Sequence, residues 1–158
     1  MSREKVRQLR ISLVLVLYVV GVILGVMSLG AELVGLDLTP GFGMVQMLQL
    51  LLGISSLTLA TFVLLRNARG VNAPRSLQAD VGVRLAATGL VFVYVSGLSD
   101  LIGIGTHVKP AFTRPFVGPL QLIGIALGVL SILAGMLLYH TSRGQRGASS
   151  MDFMGNGQ

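Results

Sequence analysis

Two carboxylate side chains, Glu32 and Asp100, occupy matching places near the ends of two long apolar stretches. They belong to the segments SLGAELVG (Ser28–Gly35) and SGLSDLIG (Ser96–Gly103), which lie 68 positions apart. An ionisable group inside a membrane span is energetically costly, so such a residue is by default a functional candidate. The pair predicts one of two roles: a vestibule for a cation or proton, or two interfacial anchors.

The depth of each acid favours the anchor role. Glu32 lies 22 residues beyond Arg10, and Asp100 lies 16 residues beyond Arg84. At the rise of an α-helix these separations are roughly 33 and 24 Å. Glu32 is therefore expected at the outer interface and Asp100 slightly below it. There a carboxylate can meet water or pair with a basic residue of the outer loop, such as Lys109.

The two histidines do not form a plausible haem site. His107 falls in a predicted outer loop and His140 at the inner end of the last apolar stretch, whereas a two-histidine haem needs both ligands at a similar depth. His140, beside Tyr139, is a weak candidate ligand for a chlorin, and an interfacial role is favoured. Since the chain has no cysteine and no nucleophile–base or metal-ligand pattern, we predict neither an enzyme nor a bound cofactor.

These residues must be positioned by membrane helices. The chain has 158 residues, of which 53% are hydrophobic and 11% charged, and its mean hydropathy is +0.80. Four apolar stretches, at about 11–31, 43–65, 81–104 and 117–139, reach the ~20 residues that a bilayer-spanning helix needs. They lack the alternation of a barrel strand. We therefore predict one all-α membrane domain of four transmembrane helices over 1–142, followed by a polar tail over 143–158.

The basic residues predict the orientation. Ten of the 12 lysines and arginines lie before the first stretch, between the second and third, or after the fourth, and only Lys109 and Arg114 lie on the other side. This bias predicts that both termini are cytoplasmic, in a plasma membrane of the bacterial inner-membrane type. The net charge of +6 is thus explained by topology rather than by nucleic-acid binding. Tyr18, Tyr94 and Tyr139 are expected in the interfacial belt.

The segment around Glu32 and that around Asp100 belong to a longer internal repeat. An offset of 68 aligns the first stretch with the third, pairing Gly21 with Gly89 and Ser28 with Ser96. An offset of 75 aligns the second with the fourth, pairing Gln46 with Gln121, Gly43 with Gly118, Gly53 with Gly128 and Ser56 with Ser131. We therefore predict two tandem helix pairs of the same orientation, at about 10–70 and 78–144.

Small residues recur at helical spacing within the stretches, which predicts close helix packing, because lipid supplies no hydrophobic drive between helices. The predicted packing residues are Gly21, Gly25, Ser28, Gly53, Ser56, Gly89, Ser96, Gly124, Gly128, Ser131 and Gly135. On this basis Gly25→Leu is expected to loosen the bundle or its assembly. The glutamines Gln46, Gln49 and Gln121 are expected to form helix-to-helix hydrogen bonds of about 1 kcal/mol each.

These features favour a non-catalytic membrane subunit that packs within a larger membrane assembly, for which an energy-transducing complex is one candidate. Its expected partners are membrane lipids and other membrane subunits or further copies of itself. Two alternatives stay open: a small oligomeric cation or proton transporter or channel bordered by Glu32 and Asp100, and a pigment- or lipid-binding membrane protein.

Overall fold

The computed structural model describes residues 3–34, 43–68, 76–99 and 118–142. They form four α-helices in chain order: α1 (Arg3–Val34), α2 (Met44–Ala68), α3 (Leu77–Gly97) and α4 (Pro119–Thr141). All four are long and apolar enough to cross a membrane. Over the described residues, the prediction of an all-helical fold with four candidate membrane spans is confirmed.

Two helices depart clearly from the predicted stretches: α1 begins at Arg3, eight residues before its stretch, and the third span differs at both ends. Its helix begins at Leu77, four residues before the predicted stretch, and ends at Gly97 rather than continuing to residue 104. The backbone N–H of Leu98 bonds to the carbonyl of Tyr94 at 2.9 Å, which closes the last turn. Ser76 caps the other end, because its hydroxyl accepts a hydrogen bond from the Ala79 N–H at 3.2 Å.

The second helix of each pair begins with the same local device. At the start of α2, the Gly43 N–H donates to the Gln46 side-chain oxygen at 2.7 Å, and at the start of α4 the Gly118 N–H donates to Gln121 at 2.8 Å. In each case a glutamine satisfies a backbone donor that the first helical turn leaves without a partner. Pro119 adds a second start signal to α4, since its fixed φ suits the first helical position.

The helices pack as two antiparallel hairpins. Hairpin 1 is α1 with α2, hairpin 2 is α3 with α4, and α2 joins the two by lying against both α3 and α4. Among the described residues, α1 touches neither α3 nor α4. The buried apolar cluster therefore lies where α2 meets hairpin 2, around Met47, Leu51, Val93, Ile125 and Ile132. This alternation of helix direction brings the described basic residues Lys5, Arg7, Arg10, Arg66 and Arg84 to one end of the molecule.

Candidate functional site

The two helices of hairpin 2 approach so closely that only glycine fits at their contact. A Cβ atom added to Gly89 would lie 2.7 Å from the carbonyl oxygen of Gly128, and one added to Gly128 would lie 2.8 Å from that of Gly89. Gly82 and Gly135 form a second reciprocal pair, with corresponding distances of 2.6 and 2.5 Å. The obstructing atoms are backbone, which cannot move aside as a flexible side chain can. Two glycine pairs thus hold α3 and α4 in backbone contact.

The helices of hairpin 1 are also in contact through glycines, but at longer distances. A Cβ atom on Gly53 would lie 3.1 Å from the carbonyl oxygen of Gly21 and 3.1 Å from the backbone nitrogen of Gly25. A Cβ atom on Gly21 would meet the side chain of Leu57 at 2.8 Å. Further along the same contact, Ser28 is buried and donates its hydroxyl to the Gln46 carbonyl oxygen at 2.6 Å.

The contacts in the two hairpins fall at equivalent positions. In hairpin 1 the residues of α1 that contact α2 are seven positions apart, and so are the residues of α2 that they contact. The same interval separates the contacting residues of α3 and α4 in hairpin 2. The facing pairs are Gly21–Gly53 and Ser28–Gln46 in hairpin 1 and Gly82–Gly135 and Gly89–Gly128 in hairpin 2. A seven-residue interval is the packing period of left-handed coiled coils. The offsets of 68 and 75 relate the Gly21–Gly53 contact of hairpin 1 to the Gly89–Gly128 contact of hairpin 2.

The other predicted packing residues differ in how they are used. Gly124 faces Ser96, whose Cβ lies 2.8 Å from the place that a Gly124 Cβ would take. Ser131 donates to the Leu85 carbonyl oxygen across hairpin 2 at 3.2 Å, and Ser56 is half-buried. Gly25 departs from the expectation: its backbone touches Gly53, but a Cβ atom added to it would meet nothing within 4 Å. Within one chain a leucine at position 25 therefore meets no obstruction, and the expected effect of Gly25→Leu on assembly stays a prediction.

Two tyrosine hydroxyls form hydrogen bonds between neighbouring helices. Tyr18 of α1 bonds to Thr61 of α2 at 2.7 Å, and Tyr94 of α3 bonds to Ser55 of α2 at 2.8 Å. Thr61 and Ser55 each direct their single hydroxyl hydrogen to a carbonyl oxygen of their own helix, so both tyrosines are the donors. Tyr18 and Tyr94 therefore bridge helices, and their expected place in the interfacial belt stays a prediction.

Tyr139 is likewise buried between helices, where its ring meets the ring of Phe62 edge to face with centroids 5.8 Å apart. This contact joins α4 to α2. Aromatic pairs of this geometry stabilise beyond their buried area. Together with the bond between Ser55 and Tyr94, it fixes how hairpin 1 sits on hairpin 2. A lone tyrosine in a span gives no sequence-level sign of such a partner, and these contacts were not predicted.

Gln121 acts both within its own helix and between helices. Its side-chain oxygen caps the start of α4, while its amide nitrogen donates to the Ser99 hydroxyl at 2.7 Å. Ser99 in turn donates to the Ser96 carbonyl oxygen at 3.0 Å. Each buried side-chain nitrogen or oxygen atom among the described residues has a hydrogen-bond partner. Tyr18, Tyr94 and Ser131 therefore use their hydrogen bonds to join helices, and Gln121 both joins and caps them.

The structure describes only part of the acidic and histidine residues that the sequence suggested for a chemical role. Glu32 lies in the last turn of α1, and its side chain is outside the described part of the structure. Asp100 and His107 also lie outside the described residues. His140 is exposed in the last turn of α4. Within the described ranges, no group of three or more potential metal-binding side chains occurs.

Comparisons of the chain with protein-family models, curated proteins and solved structures find no match.

The glycine contacts generate a stability prediction. Gly128→Leu should lower the thermal stability of the detergent-solubilised protein, because the new side chain would push against backbone; overpacking of this kind costs about 1–3 kcal/mol. The matched change Gly25→Leu should leave thermal stability unchanged, since its Cβ meets open space. Equal losses in both variants would contradict the packing described here.

A second prediction concerns the bond that joins the hairpins. Tyr94→Phe removes the hydroxyl that donates to Ser55 and should weaken the association of the hairpins by about 0.6 kcal/mol, the average for such bonds in membranes. A double-mutant cycle with Ser55→Ala measures the coupling. Tyr18→Phe, which removes a bond within hairpin 1, is the control and should show no coupling to Ser55→Ala. A coupling near zero between positions 94 and 55 would contradict the bond.

Proposed function

We propose that this chain is a non-catalytic integral membrane subunit, made of two tandem hairpins, that packs within a larger membrane assembly. The observation that carries the proposal is the use of the polar side chains within the spans. Tyr18, Tyr94, Gln121 and Ser131 all spend their hydrogen bonds on neighbouring helices or helix ends. A span whose polar groups serve packing is suited to a structural role.

The proposed origin of the two hairpins is a tandem duplication. It is supported by the equivalent glycine contacts Gly21–Gly53 and Gly89–Gly128 and by the matching glutamine caps at Gln46 and Gln121. Because each half contains two helices, duplication leaves both halves in the same orientation, related by an axis along the membrane normal.

The proposed orientation has both termini in the cytoplasm of a bacterial cell, with the basic end of the molecule inside. Reporter fusions after Thr39, Ala73, Ala111 and Gln158 should read outside, inside, outside and inside, because basic loops are retained in the cytoplasm. A cytoplasmic reading at Thr39 or Ala111 would reject this topology.

The subunit role is tested by isolating the tagged chain gently from its native membrane. We expect the native mass to exceed that of the chain's own oligomer and to include other integral membrane proteins, and an energy-transducing complex is the candidate assembly. A particle made of this chain and lipid alone would reject the role. A tightly held pigment, visible as an absorption band, would favour the pigment-binding alternative instead.

The transporter alternative makes an opposite prediction about the two acids. If Glu32 and Asp100 are interfacial anchors, vesicles containing the purified protein should show no cation or proton flux, and Glu32→Gln with Asp100→Asn should change little. Amides are compatible with the headgroup region, so folding should survive in either case. A robust flux that disappears in the double variant would replace the subunit role by that of a transporter.

A further inference from the structure

Hairpin 1 docks onto hairpin 2 through one face of α2. Met47 and Leu51 lie against Gly97, where a Cβ atom would approach both side chains to 3.1 Å. The other two docking contacts are the Ser55–Tyr94 hydrogen bond and the Phe62–Tyr139 ring pair. These contacts cover a surface of hairpin 2 made by one side of α3 and the adjoining side of α4. Val93, at its centre, is fully buried.

Hairpin 1 carries the repeat counterpart of that surface, and there it is open. A groove of about 440 Å³ follows α1 beside Leu57. Its lining includes Val22, Gly25, Val26, Leu29, Gly30 and Leu57. The offsets of 68 and 75 take these residues to Leu90, Val93, Tyr94, Gly97, Leu98 and Ile132, which lie around the α2 contact in hairpin 2. The groove is thus the equivalent of an interface that is filled elsewhere in the same chain.

The helix face that would fill it also has a counterpart. The docking face of α2 corresponds, at an offset of 75, to a face of α4 that is exposed along its length. Met47, Leu51, Ser55 and Phe62 correspond to Leu122, Ala126, Leu130 and Leu137. The three leucines are each more than half exposed. Within one chain α4 meets α2 through Tyr139, whereas this face is exposed, and in the described ranges α4 does not touch α1.

The side chains of the two open surfaces are complementary in size. In the internal interface the small residue is Gly97 and the large one is Leu51; at the equivalent positions the large residue is Leu29 and the small one is Ala126. The summed side-chain volume of each pair is therefore similar, although the large residue lies on the other helix. Packed interfaces tolerate substitutions that conserve volume in this way.

The remaining two contacts also change as pairs. The hydrogen-bonded pair Ser55–Tyr94 corresponds to Leu130 and Val26, in which both polar partners are replaced by apolar ones. The ring pair Phe62–Tyr139 corresponds to Leu137 and Leu64, in which both aromatic partners become aliphatic. No polar group is left facing an apolar one at any of the three contacts.

We infer that a second copy of this chain docks the Leu122–Leu137 face of its α4 into the groove along α1, repeating the contact that α2 makes with hairpin 2. The contact is head to tail, so successive copies form a ring if the rotation between them closes. Its axis lies along the membrane normal, since all hairpins share one orientation. This inference rests on the tandem repeat of the proposed function.

The test uses cysteine cross-linking, for which the chain is suited because it contains no cysteine of its own. Two differently tagged full-length chains, one carrying Leu29→Cys and the other Ala126→Cys, are co-expressed in a foreign host. The membranes are then treated with an oxidant or a short bifunctional thiol reagent. A cross-linked species carrying both tags is expected, because Leu29 and Ala126 are the counterparts of the touching residues Gly97 and Leu51.

The matched control replaces Ala126→Cys by Leu127→Cys. Leu127 is 53% exposed on the same turn of α4, but its counterpart, Leu52, lies outside the internal interface and is 54% exposed. This pair should give no cross-link. A second control, Leu51→Cys with Gly97→Cys in one chain, should link within that chain and reports that the internal interface is formed.

The outcomes separate the inference from the subunit role. The inference is overturned if Leu29→Cys and Ala126→Cys form no cross-link while the internal control does. It is also overturned if positions 126 and 127 cross-link to Leu29→Cys equally. Either result leaves the subunit role intact, with lipid or another subunit as the occupant of the groove. Failure of the internal control overturns the inference by removing the interface it repeats. Linking in the foreign host supports the inference whether or not other subunits are found in the native membrane.

A second variant tests the same surface without cysteine. Gly25→Leu fills the groove, since a Cβ atom at Gly25 meets nothing within 4 Å. Light scattering of the purified protein in mild detergent should show loss of the oligomer with unchanged thermal stability of the remaining monomer. An oligomer that persists with leucine at position 25 would contradict docking in this groove.

Discussion

Helices that are surrounded by lipid gain nothing from burying apolar surface against each other, because the lipid tails are equally apolar. What remains is close contact between backbones and the few hydrogen bonds that can be made between side chains. In this protein the contact is made by glycines that face each other at intervals of seven residues, Gly82 with Gly135 and Gly89 with Gly128. The positions of the other side chains follow from that approach, since it sets the distance between the helix axes.

The two hairpins apply this constraint to different degrees. In hairpin 2 both glycine pairs are reciprocal, and the obstructing atoms are backbone. In hairpin 1 the Gly21–Gly53 pair is reciprocal but wider, with both Cβ-to-oxygen distances 3.1 Å, and Val14 and Ala60 stand at the positions equivalent to the second pair. Hairpin 2 therefore forms the more tightly packed unit, onto which α2 docks, while α1 keeps most of its apolar side chains exposed.

Much of this architecture could be predicted from the sequence, and the reasons it could are specific. Four helices follow from four apolar stretches of sufficient length, and the small residues at helical spacing indicate Gly89 and Gly128 as contact points. The end of α3 at Gly97 was not predictable from hydropathy, because apolar residues continue to position 104. Gly25 shows what the spacing of glycines cannot predict. Two glycines four residues apart share a helix face, but the position of the partner helix decides which of them has no room for a Cβ atom.

The contacts between the hairpins were beyond prediction for a related reason. Tyr94 and Ser55 lie 39 positions apart and meet only once both hairpins are formed, so no local pattern connects them. The same holds for Phe62 and Tyr139. In contrast, the glutamine caps at Gln46 and Gln121 join residues three positions apart, and the sequence contains both partners.

The polarity of the two equivalent interfaces has a physical rationale. The internal interface forms as the chain folds, so a hydroxyl such as that of Tyr94 finds Ser55 without a second molecule. A surface that awaits a partner is covered by lipid until the partner arrives, and a tyrosine hydroxyl exposed there, too far from its own helix to reach a carbonyl oxygen, would lack a hydrogen-bond partner. Val26 and Leu130, the counterparts of Tyr94 and Ser55, carry no such group. A surface that is solvated by lipid before assembly must be apolar. The groove and the helix face meet this requirement, because they are apolar where the internal interface is polar.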